Sequence, residues 1–84
     1  MQNDIVIRKA QTLQAADLGK RVVFVDPADG ETKERELLGL LLVQINVIAL
    51  MLLDEGFNDR SHSWTVDVDP NALIVVNRTN QNLL

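Results

Sequence analysis

One uncharged apolar run, Leu37–Leu53, constrains the fold of this chain more than any other stretch. It spans 17 residues, LLGLLLVQINVIALMLL, and only Gly39, Gln44 and Asn46 are not apolar. No other segment has comparable apolar density, so this run must supply the core. A transmembrane span is disfavoured, because the run is shorter than the about 20 residues that cross a bilayer and is directly followed by two acidic residues.

A single buried helix is the main alternative structure for this run. The charged residues 31–36 would form its acidic first turn, and Gly56 would end it. Apolar residues would then cover every side of the helix, which would have to be buried all round. Few residues remain to bury it, so a ββαββ fold with a helix at about 33–55 is kept only as the alternative.

We predict instead a β-hairpin that turns at Asn46. Gln44 and Asn46 share one face of a strand but would lie about 200° apart on a helix. Asn46 is the residue of the run that most readily adopts a positive φ, and its β-branched neighbours favour strands. The expected strands are Glu34–Ile45 and Val47–Asp54.

Alternation along these two strands assigns each side chain to a face. The residues expected to point inward are Leu37, Leu41, Val43 and Ile45. The outer face would carry Leu38, Leu40 and Leu42 on the first strand and, if Asp54 points outward, Ile48, Leu50 and Leu52 on the second. Contiguous apolar patches on a protein surface usually mark an interface, so these six outer residues are the predicted partner interface.

Length and composition favour a small domain that associates. The chain has 84 residues, which make one domain, and a domain near this size buries only about 60% of its unfolded surface. It contains no cysteine, so neither a disulfide nor a thiolate metal site can add stability. Oligomerisation is the expected supplement to the core.

The charge and the N-terminus restrict partners and location. A net charge of −4 and an isoelectric point of about 4.7 disfavour binding to a phosphate backbone, which requires a basic stripe. The first residues lack the charged start and apolar stretch of a signal peptide. We therefore expect a cytoplasmic protein or a virion component that does not enter a membrane, and a nucleic-acid partner is disfavoured.

Turn signals divide the rest of the chain into short strands. Asp26–Gly30 predicts a tight turn in which Gly30 takes the left-handed conformation. Residues 63–69 alternate cleanly, and Trp64 faces inward with the two valines that follow it. Asp69–Ala72 is a second tight turn. Six strands are expected within a barrel core of about residues 4–77, followed by a polar tail over 78–84.

Four segments have the turn and strand pattern of a known class of small barrel: Ala16–Val23, Glu36–Leu40, Val47–Asp54 and Trp64–Val76. Over residues 16–77 the chain resembles small SH3-like and Sm-like β-barrels, in the style of small proteins of actinobacteria and their phages. The resemblance implies an all-β barrel of five or six strands, with one helical turn joining the last two. Sm-like proteins would imply a ring-forming oligomer that binds RNA. This chain lacks a basic or aromatic set for base stacking, so ring or shell formation is the implied property that we retain.

No catalytic residue, metal site or cofactor is predicted. His62 is flanked by serines, but neighbours in a strand point away from each other and do not form a nucleophile–base pair. Asp67–Asn71 has the spacing of the first half of a calcium loop. However, Ala72 and Arg78 stand where glycine and a bidentate glutamate are required.

The main hypothesis is a non-enzymatic, self-associating β-barrel module, as a structural or assembly component of a phage or a bacterium. The expected partner is a second copy or another protein. One alternative is an Sm-like nucleic-acid-associated barrel that would use Arg8, Lys9, Lys20 and Arg21. Another is an acidic inhibitor that occupies the basic cleft of a host protein.

Overall fold

The computed structural model of the chain describes residues 5–54 and 62–78. Six β-strands occupy most of these ranges: Ile5–Lys9 (β1), Arg21–Val25 (β2), Thr32–Gln44 (β3), Val47–Leu53 (β4), Ser63–Val68 (β5) and Leu73–Asn77 (β6). Two three-residue 3₁₀ helices, Ala10–Thr12 and Ala15–Asp17, connect β1 to β2. No helix within the described ranges has the length and apolar character needed to cross a membrane.

All six strands form one antiparallel sheet in the order β1-β6-β2-β3-β4-β5. The long strand β3 is shared between two halves of this sheet. Its first part, Thr32–Glu36, pairs with β2, and its second part, Leu37–Gln44, pairs with β4. Phe24 on β2 and Trp64 on β5 have ring centroids 6.2 Å apart. Three strand spacings would separate β2 from β5 by about 14 Å in a flat sheet, so the sheet curls over its own core.

The predicted all-β fold with six strands is confirmed, and the alternative with a helix at about 33–55 is wrong. β1 and β5 are the outermost strands of the sheet and do not pair with each other within the described ranges. The sheet is therefore curled but not closed. The polar tail predicted for residues 78–84 lies, beyond Arg78, outside the described residues.

The apolar run forms the β3–β4 hairpin, as predicted. Ile45 and Asn46 make a two-residue loop between the paired residues Gln44 and Val47. The positive φ expected at Asn46 is wrong, because every described residue with a positive φ is a glycine. The position of the loop was therefore predicted correctly, but the backbone conformation of Asn46 was not.

A β-bulge at Leu38 shifts the alternation of side chains along β3. Leu37 pairs with Leu52, whereas Gly39 pairs with Met51, so Leu38 is an extra residue in the ladder. An extra residue moves the following side chains to the opposite face. As a result, Leu37 and Leu40, which are three residues apart, both face the core.

A second bulge at Val43 precedes the hairpin loop. Leu42 pairs with Ile48, and Gln44 pairs with Val47, which leaves Val43 as the extra residue. Bulges increase the local twist of a strand. The bulge lies directly before the two-residue loop, in which neither residue has a positive φ.

The core lies inside the curl of the sheet. Its buried members are Ala10, Val22, Phe24, Leu37, Ile48, Leu50, Leu52, Val66, Val68, Ile74 and Val76. The predicted alternation of β5 is confirmed, since both valines are buried, Trp64 packs against the core, and Thr65 and Asp67 are exposed.

Both predicted tight turns are present. Gly30 has a φ of 73°, and its N–H donates to the carbonyl oxygen of Asp26 at 2.7 Å. In the second turn, the N–H of Ala72 donates to the carbonyl oxygen of Asp69 at 2.9 Å. These turns join β2 to β3 and β5 to β6.

A buried polar cluster connects three strands on the outer face of the sheet. The Nδ2 of Asn77 on β6 donates to the Oε2 of Glu34 on β3 at 3.0 Å. The Nε of Arg21 on β2 lies 3.7 Å from the same oxygen. Glu34 and Asn77 are buried, and a buried carboxylate requires such partners. The cluster therefore favours one register of β6, β2 and β3.

Asp17 holds the connection between β1 and β2 against the sheet. Its side chain is fully buried, and its Oδ2 lies 3.2 Å from the Nε of Arg8. Its Oδ1 lies 3.6 Å from the Nη2 of Arg78, which follows β6. Oδ2 also accepts the backbone N–H of Gln14 at 2.8 Å. One carboxylate thus links three separate segments of the chain.

Candidate interaction surface

A protruding apolar surface occupies the loop end of the β3–β4 hairpin. We call it the apolar tip, and its residues are Leu41, Leu42, Val43 and Ile45. Their exposed fractions are 54, 76, 52 and 96%, respectively. No charged residue occurs anywhere in the run Leu37–Leu53. A contiguous patch of large exposed aliphatic side chains is typical of an interaction site.

An open apolar groove of about 320 Å³ adjoins the apolar tip. It is lined by Ala10, Gln11, Leu13, Leu40, Leu41, Leu42 and Ile48. One wall of the groove is the first 3₁₀ helix. A hydrogen bond from the N–H of Ala10 to the carbonyl oxygen of Ala72, 2.9 Å long, fixes this helix to the turn before β6. Because Gln11 is the one polar residue in the lining, the groove suits an aliphatic side chain better than a polar ligand.

β3 also presents an unpaired backbone edge beside the apolar tip. β2 pairs with β3 only as far as Glu36, and the backbone of Leu37 then exchanges hydrogen bonds with Gly19 and Lys20. Over Leu38–Gln44, the side of β3 that faces away from β4 pairs with no other strand of the described ranges. Unpaired N–H and C=O groups of this kind can pair with another strand.

The residues of the predicted interface do not share one exposed face. Ile48, Leu50 and Leu52 are buried in the core, so the predicted outward orientation of β4 is wrong. Of the other three, Leu38 and Leu40 are half-buried and Leu42 is exposed. The β4 prediction depended on Asp54 pointing outward. Asp54 lies beyond the end of β4, so its orientation does not continue the alternation of the strand.

The inward orientation predicted for part of β3 is also wrong. Leu37 is buried as expected, but Leu41, Val43 and Ile45 are exposed. The bulge at Leu38 reverses the faces after Leu37, and Ile45 lies in the loop. Sequence reasoning therefore identified Leu42 of the apolar tip but missed Leu41, Val43 and Ile45, and the neighbouring Gly39 was the one local sign of a bulge.

The opposite end of β4 is covered by an aromatic ring and two cations. Trp64 pairs with Leu52 and is half-buried. The Nζ of Lys33 and the Cζ of Arg35 lie 5.2 Å and 5.8 Å from the centre of a Trp64 ring, distances typical of cation–π contacts. Shallow pockets of about 330 and 270 Å³ adjoin this tryptophan.

Lys33 also bridges two carboxylates of the turn before β3. Its Nζ lies 2.7 Å from the Oδ2 of Asp26 and 2.8 Å from the Oδ2 of Asp29. The hydrogen bonds from Lys33 lower the pKa of both carboxyls below the ordinary value of 3.8. The same hydrogen bonds, with that to Asp26 first, raise the pKa of Lys33 above 10.5. All three groups are therefore charged at neutral pH, which suits a structural contact better than proton transfer.

The four basic residues considered for nucleic-acid contact have different surroundings. Arg8 contacts the buried Asp17, and Arg21 lies near the buried Glu34. Lys9 and Lys20 are exposed. Two of the four positive charges therefore lie beside carboxylates of the fold.

The remaining polar candidates do not come together. His62 is exposed immediately before β5. In the segment with calcium-loop spacing, the Oδ1 of Asp69 accepts the N–H of Asn71 at 2.8 Å and so serves the tight turn. Across residues 5–54 and 62–78, no group of three His, Cys, Asp or Glu side chains is placed to hold a metal ion.

Comparison with known proteins finds no relative, because no family model, curated protein or solved structure matches this chain. The resemblance to SH3-like and Sm-like barrels remains a prediction. The features of this structure that bear on function are therefore the apolar tip, the apolar groove and the free edge of β3.

Proposed function

We propose that this protein is a non-catalytic, self-associating module whose apolar tip docks against a second copy, as a structural or assembly component would. The exposure of Leu42 and Ile45 carries the proposal, since these residues are 76 and 96% exposed to solvent. Both belong to a stretch of β-structure without a single charge. Covering them removes a contiguous apolar patch from water, which favours association.

The expected association is weak and reversible. Fully burying an aliphatic side chain stabilises a complex by about 1.5–3 kcal/mol. The eight tip side chains of a symmetric dimer, at the lower value, would contribute roughly 12 kcal/mol. Lost translational and rotational freedom opposes association by about 4–15 kcal/mol. The two terms are similar in size, so the dimer fraction should depend strongly on protein concentration.

A second copy can contact the apolar tip although both copies carry a negative net charge. The net charge of −4 makes two copies repel each other at long range. Since the tip itself is uncharged, contact brings no like charges together there. Salt screens the long-range repulsion, so self-association should strengthen as ionic strength rises. Binding to a nucleic acid would weaken under the same conditions.

Sedimentation velocity over a range of protein concentrations tests the proposal. We expect the unmodified chain to shift from monomer to oligomer, and Leu42→Lys to remain monomeric while its circular dichroism spectrum is unchanged. Ile7→Lys is the matched control, because Ile7 is 64% exposed on β1, which β6 and β2 separate from β3 in the sheet. A monomeric parent at every concentration would contradict the proposal, as would loss of association in the Ile7 variant alone.

A further inference from the structure

We infer that the second copy docks by pairing its own β3 edge, antiparallel, with the β3 edge of the first copy. The two sheets would then continue into each other across a two-fold axis at Leu41. This inference rests on the proposed self-association and specifies its geometry. The juxtaposition that supports it is the free backbone edge of Leu38–Gln44 beside the exposed apolar tip.

The free part of β3 lacks the features that usually keep an edge strand from pairing. Edge strands are commonly protected by charged residues or proline. β1 carries Arg8 and Lys9, and β5 carries Asp67. Leu38–Gln44 contains neither a charge nor a proline. Among the unpaired edges of the described ranges, this one therefore offers the least resistance to a partner strand.

The register follows from the alternation of side chains. Partners in an antiparallel ladder must lie on the same face, so the two-fold axis must pass through a residue and not between two residues. The bulges at Leu38 and Val43 bound a regular segment. An axis at Leu41 places Leu40 of one copy opposite Leu42 of the other, within that segment. An axis at Leu40 would place the leucine side chain of Leu42 opposite the bulged Leu38, whereas an axis at Leu41 places only Gly39, which has no side chain, opposite the bulged Val43.

In this register, the exposed side chain of Leu42 would also contact an apolar surface of the other copy. Leu42 of the second copy would lie beside Leu40, which lines the apolar groove together with Leu13. An exposed patch of a few hundred Å² is typical of interaction sites. A specific interface requires about 1,000 Å² of total buried surface, to which each copy would contribute its apolar tip and its groove. Main-chain hydrogen bonds between the strands would supplement this apolar contact.

Single-cysteine variants test the geometry directly, because the natural chain contains no cysteine. An axis at Leu41 brings the two copies of that residue side by side, within reach of a disulfide. The two copies of Val43 would be four residues apart along the ladder, or about 13 Å. Val43 is a matched control, since its exposure of 52% is close to the 54% of Leu41.

Under mild oxidation, we expect Leu41→Cys to form the disulfide-linked dimer at least about tenfold faster than Val43→Cys, because pairing raises the effective thiol concentration. Equal rates in a chain that sedimentation shows to dimerise would overturn the edge pairing and leave self-association standing. A monomeric parent would overturn both.

Amide hydrogen exchange of the unmodified chain provides a second test that needs no substitution. Raising the protein concentration should slow exchange within residues 38–44, because edge pairing gives these N–H groups new acceptors. A dimer in which exchange over 38–44 is unchanged would contradict edge pairing. That result would indicate that the tips touch through side chains alone.

Discussion

Leu42 and Ile48 face each other across the β3–β4 ladder, yet Leu42 is 76% exposed and Ile48 only 8% exposed. Both side chains point to the same face of the sheet, because partners in a ladder share a face. Ile48 reaches the core cluster, whereas Leu42 lies at the rim of the groove. The boundary between core and interaction surface therefore passes between two paired residues.

The first prediction separates the roles of these two residues. Ile48→Ala should reduce the free energy of unfolding by about 2–5 kcal/mol, because it leaves a cavity in the core. Leu42→Ala should change it by no more than about 0.5 kcal/mol in the monomer, as is usual for surface sites. Denaturant unfolding followed by the fluorescence of Trp64, at concentrations where the chain is monomeric, measures both. Equal losses would contradict the assignment.

Local signals explain what could be predicted from the sequence. The alternation in β5 and the left-handed glycine at Gly30 depend on residues adjacent in the chain, and both were predicted correctly. The hairpin was also predicted, because Gln44 and Asn46 share a parity that excludes a common helix face. These features can be predicted without knowing which strands pair.

The faces of the hairpin could not be predicted for the opposite reason. A bulge is defined by the partner strand, and no residue type marks Leu38 as the extra residue of the ladder. One unrecognised bulge reverses every later assignment in its strand. The sequence therefore indicated that this hairpin has more apolar side chains than the core can bury, so that some of them are exposed. The location of that surface at the loop end, around Leu41 and Ile45, required the register.

A second prediction concerns the dependence of stability on pH through Lys33, Asp26 and Asp29. Lys33 holds the pKa of both carboxyls below 3.8, so their contribution to stability is present above that value and is lost as the pH falls below it. The pKa of Lys33 is raised above 10.5, so its contribution is present below that value and is lost as the pH rises above it. The contact should therefore stabilise the fold between about pH 4 and pH 10.

Lys33→Met tests this window, because methionine keeps an unbranched stem near Trp64 but removes the charge. The loss of unfolding free energy, relative to the parent, should be largest near pH 7 and should shrink at pH 2.5 and at pH 11.5. Lys20→Met is the control, since Lys20 is exposed and makes no side-chain contact with Asp26 or Asp29. A loss that stays constant across all three pH values would show that the carboxylates are not involved.

The last prediction concerns Arg8, which contacts the fully buried carboxylate of Asp17 at 3.2 Å. Arg8→Gln should destabilise the fold by about 1–3 kcal/mol, because the buried carboxylate of Asp17 loses the positive charge that lies beside it. The loss should stay below the about 3–5 kcal/mol seen when a buried charge is left alone, since Arg78 and the backbone of Gln14 still contact Asp17.

Lys9→Gln removes the same charge from the next residue, whose side chain is exposed, and should leave stability within about 0.5 kcal/mol of the parent. A double-mutant cycle with Asp17→Asn isolates the pair. If the contact between the two charges causes the loss, the double variant should be less destabilised than the two single variants together. Strict additivity in urea denaturation would show instead that Arg8 acts through the packing of its stem.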